Sequence, residues 1–316
     1  MTRIGSSDLD VNGLDLGGNV FGWTADRDAS FAVLDAFLDA GGDLVDTADS
    51  YSAWVPGHTG GESELLIGEW MARRGTRDRV VVSTKVSRHP QFRGLAADTV
   101  RAACDASLTR LGTEHIDLYY AHYDDEDTPL EETAGAFDAL VRAGKVRFIG
   151  VSNYTADRVD AWLGIARERG WAAPVALQPN YNLVNRAVYE RELAPVVERW
   201  GLGVLPYYGL AAGFLTGKYR SEADLAKGPR GGGVKRYLSD AGLALLTVLD
   251  GIAAASGVAV ASVALAWLRS RPGVVAPIAS ARSVEQLPAL LAARTLELAP
   301  ADLAALDEAS AAIERA

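Results

Sequence analysis

Four side chains in this 316-residue sequence have the makings of a proton-transfer site. Asp46 ends the run Asp43-Leu44-Val45-Asp46, and Tyr51 follows five residues later, after Thr47-Ala48-Asp49-Ser50. Lys85 ends Val81-Val82-Ser83-Thr84-Lys85, and His122 ends Asp117-Leu118-Tyr119-Tyr120-Ala121-His122. A phenol has an ordinary pKa of about 10, which makes it a reluctant acid at neutral pH. An ammonium beside it favours the phenolate, so Lys85 is expected to make Tyr51 a better acid. A carboxylate such as Asp46 would hold that ammonium charged and in place. An imidazole facing the phenol would hydrogen-bond a substrate oxygen and orient it. Together these groups suit a reaction that puts negative charge, and then a proton, on a carbonyl oxygen.

Such residues must be brought together by the elements that carry them. Short β-rich runs at 14–16, 44–46, 80–84, 116–120, 148–151, 175–178, 204–206 and 274–278 alternate with helical patterns along the chain. Several of these runs are continuously apolar, as in parallel strands covered on both faces. The helical patterns fall at 28–40, 62–73, 96–111, 130–143, 155–169, 188–200, 258–269, 284–293 and 301–313, with Asp28 a candidate N-cap for the first and Gly41-Gly42 its stop. The α/β alternation predicts a closed parallel (β/α)8 TIM barrel, one domain over 1–316, preceded by an N-terminal hairpin around Ile4, Leu9 and Val11. Active sites in this fold sit at the C-terminal ends of the strands. Asp46, Lys85 and His122, on three successive strands, would therefore share one rim. Between Tyr207 and Leu238 the pattern lapses, and Gly228-Pro229-Arg230-Gly231-Gly232-Gly233 is glycine-rich. That stretch is expected to be a long loop after the seventh strand, overhanging the site and mobile until a phosphate-bearing ligand orders it.

Composition narrows the partners. The formal net charge is −10 with no offsetting Lys/Arg block, which argues against nucleic acid or an anionic membrane. No run approaches the roughly 20 apolar residues of a membrane span. The first residues lack the apolar stretch of a signal peptide, and the lone Cys104 leaves no internal disulfide, so a reducing cytoplasm is expected. His58, His89 and His115 show no paired ligand spacing, and no metal site is expected. No Gly-x-Gly-x-x-Gly follows a strand, which leaves a Rossmann domain without support. Trp23, Trp54 and Tyr123 fall in rim loops and are candidates for an apolar substrate pocket.

Further motifs carry a family resemblance. Asp46-Thr47-Ala48-Asp49-Ser50-Tyr51, followed by Gly60-Gly61-Glu62-Ser63-Glu64-Leu65-Leu66-Ile67-Gly68, resembles the signature of the aldo-keto reductases. Lys85 and His122 match that family's other catalytic positions in order and spacing. The likeness continues through Gly144-Lys145-Val146-Arg147-Phe148-Ile149-Gly150-Val151-Ser152-Asn153 and Gln178-Pro179-Asn180-Tyr181-Asn182, and on to Ala281-Arg282-Ser283-Val284-Glu285-Gln286. It implies an NADPH-dependent oxidoreductase, with NAD a possible substitute, that reduces a small-molecule aldehyde or ketone. It implies Tyr51 as general acid, Asp46 and Lys85 as its tuning pair, and His122 as the substrate orienter. Ser152, Asn153 and Gln178 would hold the nicotinamide carboxamide, with Tyr207 stacked on the ring. Leu210, Gly213 and Lys218 would wrap the pyrophosphate, and Arg282 and Gln286 would approach the adenosine. The sequence departs from the family at Tyr208-Gly209 and at Leu290, where a serine-proline pair and an asparagine are more common. Two other readings share the fold: a cofactor-binding regulatory subunit of the kind that serves potassium channels, and an aldolase forming a Schiff base on Lys85. Whether the chain is a monomer or a homo-oligomer is open.

Overall fold

The computed structural model describes residues 1–228 and 231–315. Eight short strands form one parallel sheet: β1 Asp15–Gly17, β2 Leu44–Asp46, β3 Val81–Val86, β4 Ile116–Ala121, β5 Val146–Ser152, β6 Pro174–Gln178, β7 Gly203–Val204 and β8 Ile278–Ala279. Neighbours in sequence are neighbours in space from β1 to β7, and β8 returns to pair with β1. The ring closes between β7 and the segment leading into β8. There Val204 bridges Val274, Val275 N–H donates to Val204 O at 2.9 Å, and Ile278 N–H donates to Pro206 O at 2.9 Å. The result is a (β/α)8 barrel. Its strands are buried along most of their length because one face meets the barrel interior and the other the surrounding helices.

Two apolar layers follow from that geometry. Inside the barrel, Leu44, Leu118, Tyr120, Ala176, Leu205, Ala276 and Ile278 pack together. The expected N-terminal hairpin pairs Thr2–Arg3 with Asp10–Val11 and drives Ile4, Leu9 and Val11 into the same cluster. Gly5, at φ +52°, makes the closest approach; a Cβ there would lie 2.2 Å from Val175 O at the start of β6. The hairpin therefore plugs the N-terminal end of the barrel, and the opposite end stays open. Outside, the helices cover the strands through Val33, Phe37, Trp70, Phe137, Trp162 and Trp267. Cys104 lies in this outer layer, where burial pushes its thiol up to about 12 and keeps it unreactive.

Several elements differ from the sequence reading. The first helix, Arg27–Asp39, is capped by Asp26 and not Asp28, since the Asp26 carboxylate accepts from Ala29 N–H at 2.9 Å. The single helix expected at 188–200 begins as a π turn at Tyr189–Leu193 and becomes α-helical only over Ala194–Trp200. A 17-residue helix, Asp240–Ser256, was not foreseen. Its glycines and alanines blur the apolar stripe by which a helix is recognised. The stretch after β7 is not structureless either. A Ser221/Asp224 capping box starts a 3-10 turn at Glu222–Lys227, and further turns follow at Gly231–Val234 and Lys235–Tyr237, with Val234 fully buried. Pro229 and Arg230, part of the glycine-rich run, lie outside the described residues. Among the described residues no single helix is long and apolar enough to cross a membrane.

Candidate active site

The strand register sets the positions of the chemical groups. Asp46 ends β2, Lys85 lies one residue before the end of β3, and His122 follows the last residue of β4. Tyr51 is placed by its loop. Ser52 Oγ donates to Phe21 O at 3.2 Å, and Thr47 Oγ1 donates to Ser63 Oγ, which donates to Gly18 O, both at 2.8 Å. These bonds tie the β2 loop to the start of helix Glu62–Arg74 and to the loop after β1.

Lys85 Nζ makes three hydrogen bonds: to Asp46 Oδ2 at 2.5 Å, Thr47 O at 2.6 Å and Tyr51 Oη at 3.0 Å. It also stands 4.8 Å from the centre of the Tyr51 ring. Asp46 accepts from Lys85, from Tyr51 Oη at 3.3 Å, from Ser83 Oγ at 2.9 Å and from Gln178 Nε2 at 3.0 Å. Both charged side chains are essentially inaccessible. A buried ion pair survives only when its remaining donors and acceptors are satisfied, and here they are. The His122 ring lies 6.2 Å from that of Tyr51, centre to centre.

Burial and charge set the protonation states. The Tyr51 hydroxyl is held well above the usual phenol range, first by desolvation and then by the negative charge of Asp46. Lys85 alone would favour the phenolate, as expected from the sequence, but the surroundings as a whole act the other way. The ammonium is already neutralised by Asp46, so burial decides and Tyr51 keeps its proton. His122 is pushed well below the usual imidazole range by burial, then by Lys85 and Arg88. It is therefore a neutral ring, able to donate one hydrogen bond, and its Nδ1 finds no partner among the described residues.

One acid in this region escaped the sequence reading. Asp15 on β1 is fully buried, and among the described residues neither carboxylate oxygen has a hydrogen-bond partner. It pairs in register with Leu44 while Gly17 pairs with Asp46, so it lies one layer beneath the Asp46–Lys85 pair. Desolvation first, and the Asp46 charge second, raise it well above the usual carboxylate range. The signal was visible as an acid inside the apolar run Leu14-Asp15-Leu16.

These groups open onto a cavity of about 1110 Å³ at the C-terminal rim, larger than the roughly 300–1,000 Å³ of ordinary small-ligand pockets. Ser152, Asn153, Gln178 and Tyr207 line its floor next to Asp46 and Tyr51. They are linked: Tyr207 Oη donates to Asn153 Oδ1 at 2.7 Å, Asn153 Nδ2 donates to His122 O at 2.8 Å, and Ser152 Oγ donates to Gln178 O at 2.8 Å. Leu210, Gly213, Lys218, Arg282 and Gln286 line the far side. Tyr208, Ala211, Ala212 and Gly213 all hold positive φ, between 47° and 100°. Successive amides in such conformations form concavities that bind anions, and Lys218 stands at this one. Gln286 Oε1 accepts from Arg282 N–H at 2.9 Å, so that side chain orders the Arg282 loop. Arg220, two residues beyond Lys218, is bound to Asp250 at 2.7 Å and Gly217 O at 2.8 Å. Of the expected pocket aromatics, Tyr123 and Trp54 line the cavity, Trp54 half exposed at its mouth. Trp23 is set behind, edge-on to Trp54 at 5.6 Å, and buttresses the wall without lining it.

Comparison with known proteins agrees with this geometry. Residues 14–311 match the Aldo/keto reductase family. The chain is 35% identical over 296 residues to the oxidoreductase YrpG of Bacillus subtilis, covering 90% of this chain and 88% of that protein. It is 32% identical over 317 residues to L-glyceraldehyde 3-phosphate reductase of Escherichia coli K12, covering 96% and 90%. It is 31% identical over 303 residues to aryl-alcohol dehydrogenase [NADP(+)] of Phanerodontia chrysosporium, covering 90% and 77%. A barrel closed around a carboxylate, an ammonium, a phenol and an imidazole, matched along nearly its whole length, belongs to the aldo/keto reductase family of oxidoreductases.

Proposed function

We propose that this protein reduces an aldehyde or ketone to an alcohol with NADPH, using Tyr51 as the general acid. The observation that carries the reading is the chain from Asp46 through Lys85 to Tyr51, at 2.5 and 3.0 Å, beside the neutral His122 on the wall of a dinucleotide-sized cavity. NADPH supplies hydride to the carbonyl carbon when bound, and the residues that fit it are those of the cavity floor and far side. Ser152, Asn153 and Gln178 offer amide and hydroxyl groups to a carboxamide, and Tyr207 a ring face to stack upon. The left-handed turns at 211–213 with Lys218 suit a pyrophosphate, and Arg282 suits the adenosine end.

The remaining steps belong to the chain's own side chains. His122 donates a hydrogen bond to the carbonyl oxygen and fixes its direction. As negative charge grows on that oxygen, Tyr51 Oη gives up its proton. The developing phenolate is then stabilised by Lys85 Nζ, already in hydrogen-bond contact and requiring no rearrangement. An alkoxide is a far stronger base than an ordinary phenolate, and Lys85 stabilises the phenolate as it forms, so the proton passes to the product oxygen while the resting enzyme stays protonated. Lys85 commits all three ammonium donors to Asp46, Thr47 O and Tyr51, and no lone pair is left for a Schiff base, which speaks against the aldolase reading.

Two relatives bracket the substrate: one named for an aryl alcohol with NADP(+), the other for a small phosphorylated aldehyde. The aromatic mouth formed by Trp54, Tyr123 and Tyr208 suits a planar substrate. A panel of aldehydes and ketones, followed by loss of NADPH absorbance, tests the reading. Steady turnover of several members supports it, whereas tight NADPH binding with no turnover of any would favour a regulatory subunit.

A further inference from the structure

Where β3 ends, the chain passes through Ser87 at φ 123°, a conformation that residues with a Cβ rarely hold. Gly94 N–H donates to Ser87 O at 3.1 Å, and Tyr123 N–H donates to Ser87 Oγ at 3.2 Å. Between Ser87 and Gly94 the chain forms a small hairpin, Arg88–His89 against Phe92–Arg93, raised over the cavity mouth. Its register sets Arg88 directly opposite Arg93. Like charges facing each other across a strand pair are destabilising.

No ion pair among the described residues relieves that repulsion. Both arginines are exposed and both line the cavity. Among the described residues, neither has a carboxylate partner. The acids on the same wall are already engaged. Asp124 forms a two-point pair with Arg158 at 2.6 and 2.7 Å, and Asp125 accepts from Leu95 N–H and Thr128 Oγ1, both at 2.7 Å. The Arg88 guanidinium lies 3.9 Å from the centre of the Tyr123 ring, which is 5.1 Å from that of His122. The positive pair thus stands one aromatic ring beyond the group that would orient the carbonyl. It also stands across the barrel from the turns at 211–213 after β7, with β4, β5 and β6 between them on one side and β2, β1 and β8 on the other. The cofactor's phosphates would lie on that far side.

We propose that Arg88 and Arg93 form an anion subsite, and that the substrate is an aldehyde or ketone carrying a carboxylate or phosphate group. This rests on the reductase reading of the site. An oxyanion between two guanidinium forks converts their repulsion into charge-assisted hydrogen bonds. A local positive pair would also offset the repulsion that the chain's net charge of −10 sets against such a substrate.

The test is a ratio. kcat/KM is measured with NADPH for para-carboxybenzaldehyde against benzaldehyde, and for glyceraldehyde 3-phosphate against glyceraldehyde. Wild type is compared with Arg88→Gln, Arg93→Gln and the double variant, and far-UV circular dichroism checks that these exposed substitutions leave the fold intact. At least one anionic member should be preferred by the wild type, and the pair that shows the preference tells carboxylate from phosphate. In the double variant that preference should fall by about 10-fold or more, the scale of hydrogen bonds to charged groups, chiefly through KM. Added salt should weaken it in wild type alone. If neither anionic member is preferred, or the ratio is untouched by the double substitution, the subsite is overturned while the reductase reading stands. If no aldehyde of either pair is turned over, the reductase reading itself falls, and the subsite with it.

Discussion

The Lys85 ammonium stands 3.0 Å from the Tyr51 hydroxyl, yet the phenol is harder to ionise than a free one. The same ammonium is 2.5 Å from Asp46, and the pair is buried as a neutral unit, so desolvation of the ring dominates at rest. Lys85 is therefore poised to act on the charge that develops during proton transfer, which is where electrostatic stabilisation speeds a reaction.

Lys85→Met should lower kcat by about 100-fold or more, the scale of a lost proton-transfer partner. It should also destabilise the protein by about 3–5 kcal/mol, because Asp46 is left charged and unpaired in the interior. Adding Asp46→Asn to Lys85→Met removes that charge, and should restore much of the melting temperature without restoring turnover. Recovery of both together would mean that Lys85 matters only for folding.

Asp15→Asn should stabilise the protein, and more so at higher pH. Burial and the Asp46 charge make the Asp15 carboxyl hold its proton to higher pH when folded than in the unfolded chain, where it ionises near the ordinary value of about 3.9. A raised folded pKa favours the fold below the unfolded value, and that advantage is lost as pH rises toward the folded one. Asparagine is neutral in both states and escapes the loss. Melting temperatures at pH 5 and pH 8 should show a gain for the variant that grows between them, worth roughly 1–3 kcal/mol at the upper end, the scale of a poorly satisfied buried polar group. An equal or lower melting temperature at pH 8 would show that Asp15 is ionised and partnered.

The barrel and its four central side chains were legible because parallel strands converge at one rim, so strand-end residues Asp46, Lys85 and His122 had to meet there. Other features were not legible, each for a physical reason. The resting state of Tyr51 depends on burial and on how fully Asp46 neutralises Lys85, and residue spacing measures neither. Asp15 interrupts an apolar run, and only the register with Leu44 shows it lying beneath the Asp46–Lys85 pair. The glycine-rich stretch after β7 is composed like a loop, but Ser221 and Asp224 cap a turn, and Val234 buries itself fully against its neighbours. Trp23 was expected in the pocket and stands behind Trp54, because whether an aromatic in a rim loop lines or supports the wall depends on side-chain direction.

Arg282→Ala should weaken NADPH by about 1.5–3 kcal/mol, the scale of hydrogen bonds to a charged group, and leave NADH nearly unchanged. Arg282 lines the cavity, its loop is held by Gln286 Oε1, and in the proposed reading its guanidinium meets the 2′-phosphate that NADH lacks. Fluorescence titration of both cofactors checks this. Equal weakening of the two would move the phosphate contact to Lys218.

The proton carried by Tyr51 is the centre of the proposed mechanism. Tyr51→Phe keeps the ring and removes only the hydroxyl, which donates to Asp46 at 3.3 Å and accepts from Lys85 at 3.0 Å. Steady-state turnover of a good aldehyde and the dissociation constant of NADPH should be measured on the same preparation. The expected result is a fall in kcat of at least about 100-fold with nearly unchanged NADPH affinity, since the phenol supplies the proton and the cofactor is held by other residues. A variant that binds NADPH normally and keeps most of its turnover would contradict the assignment of Tyr51 as the acid.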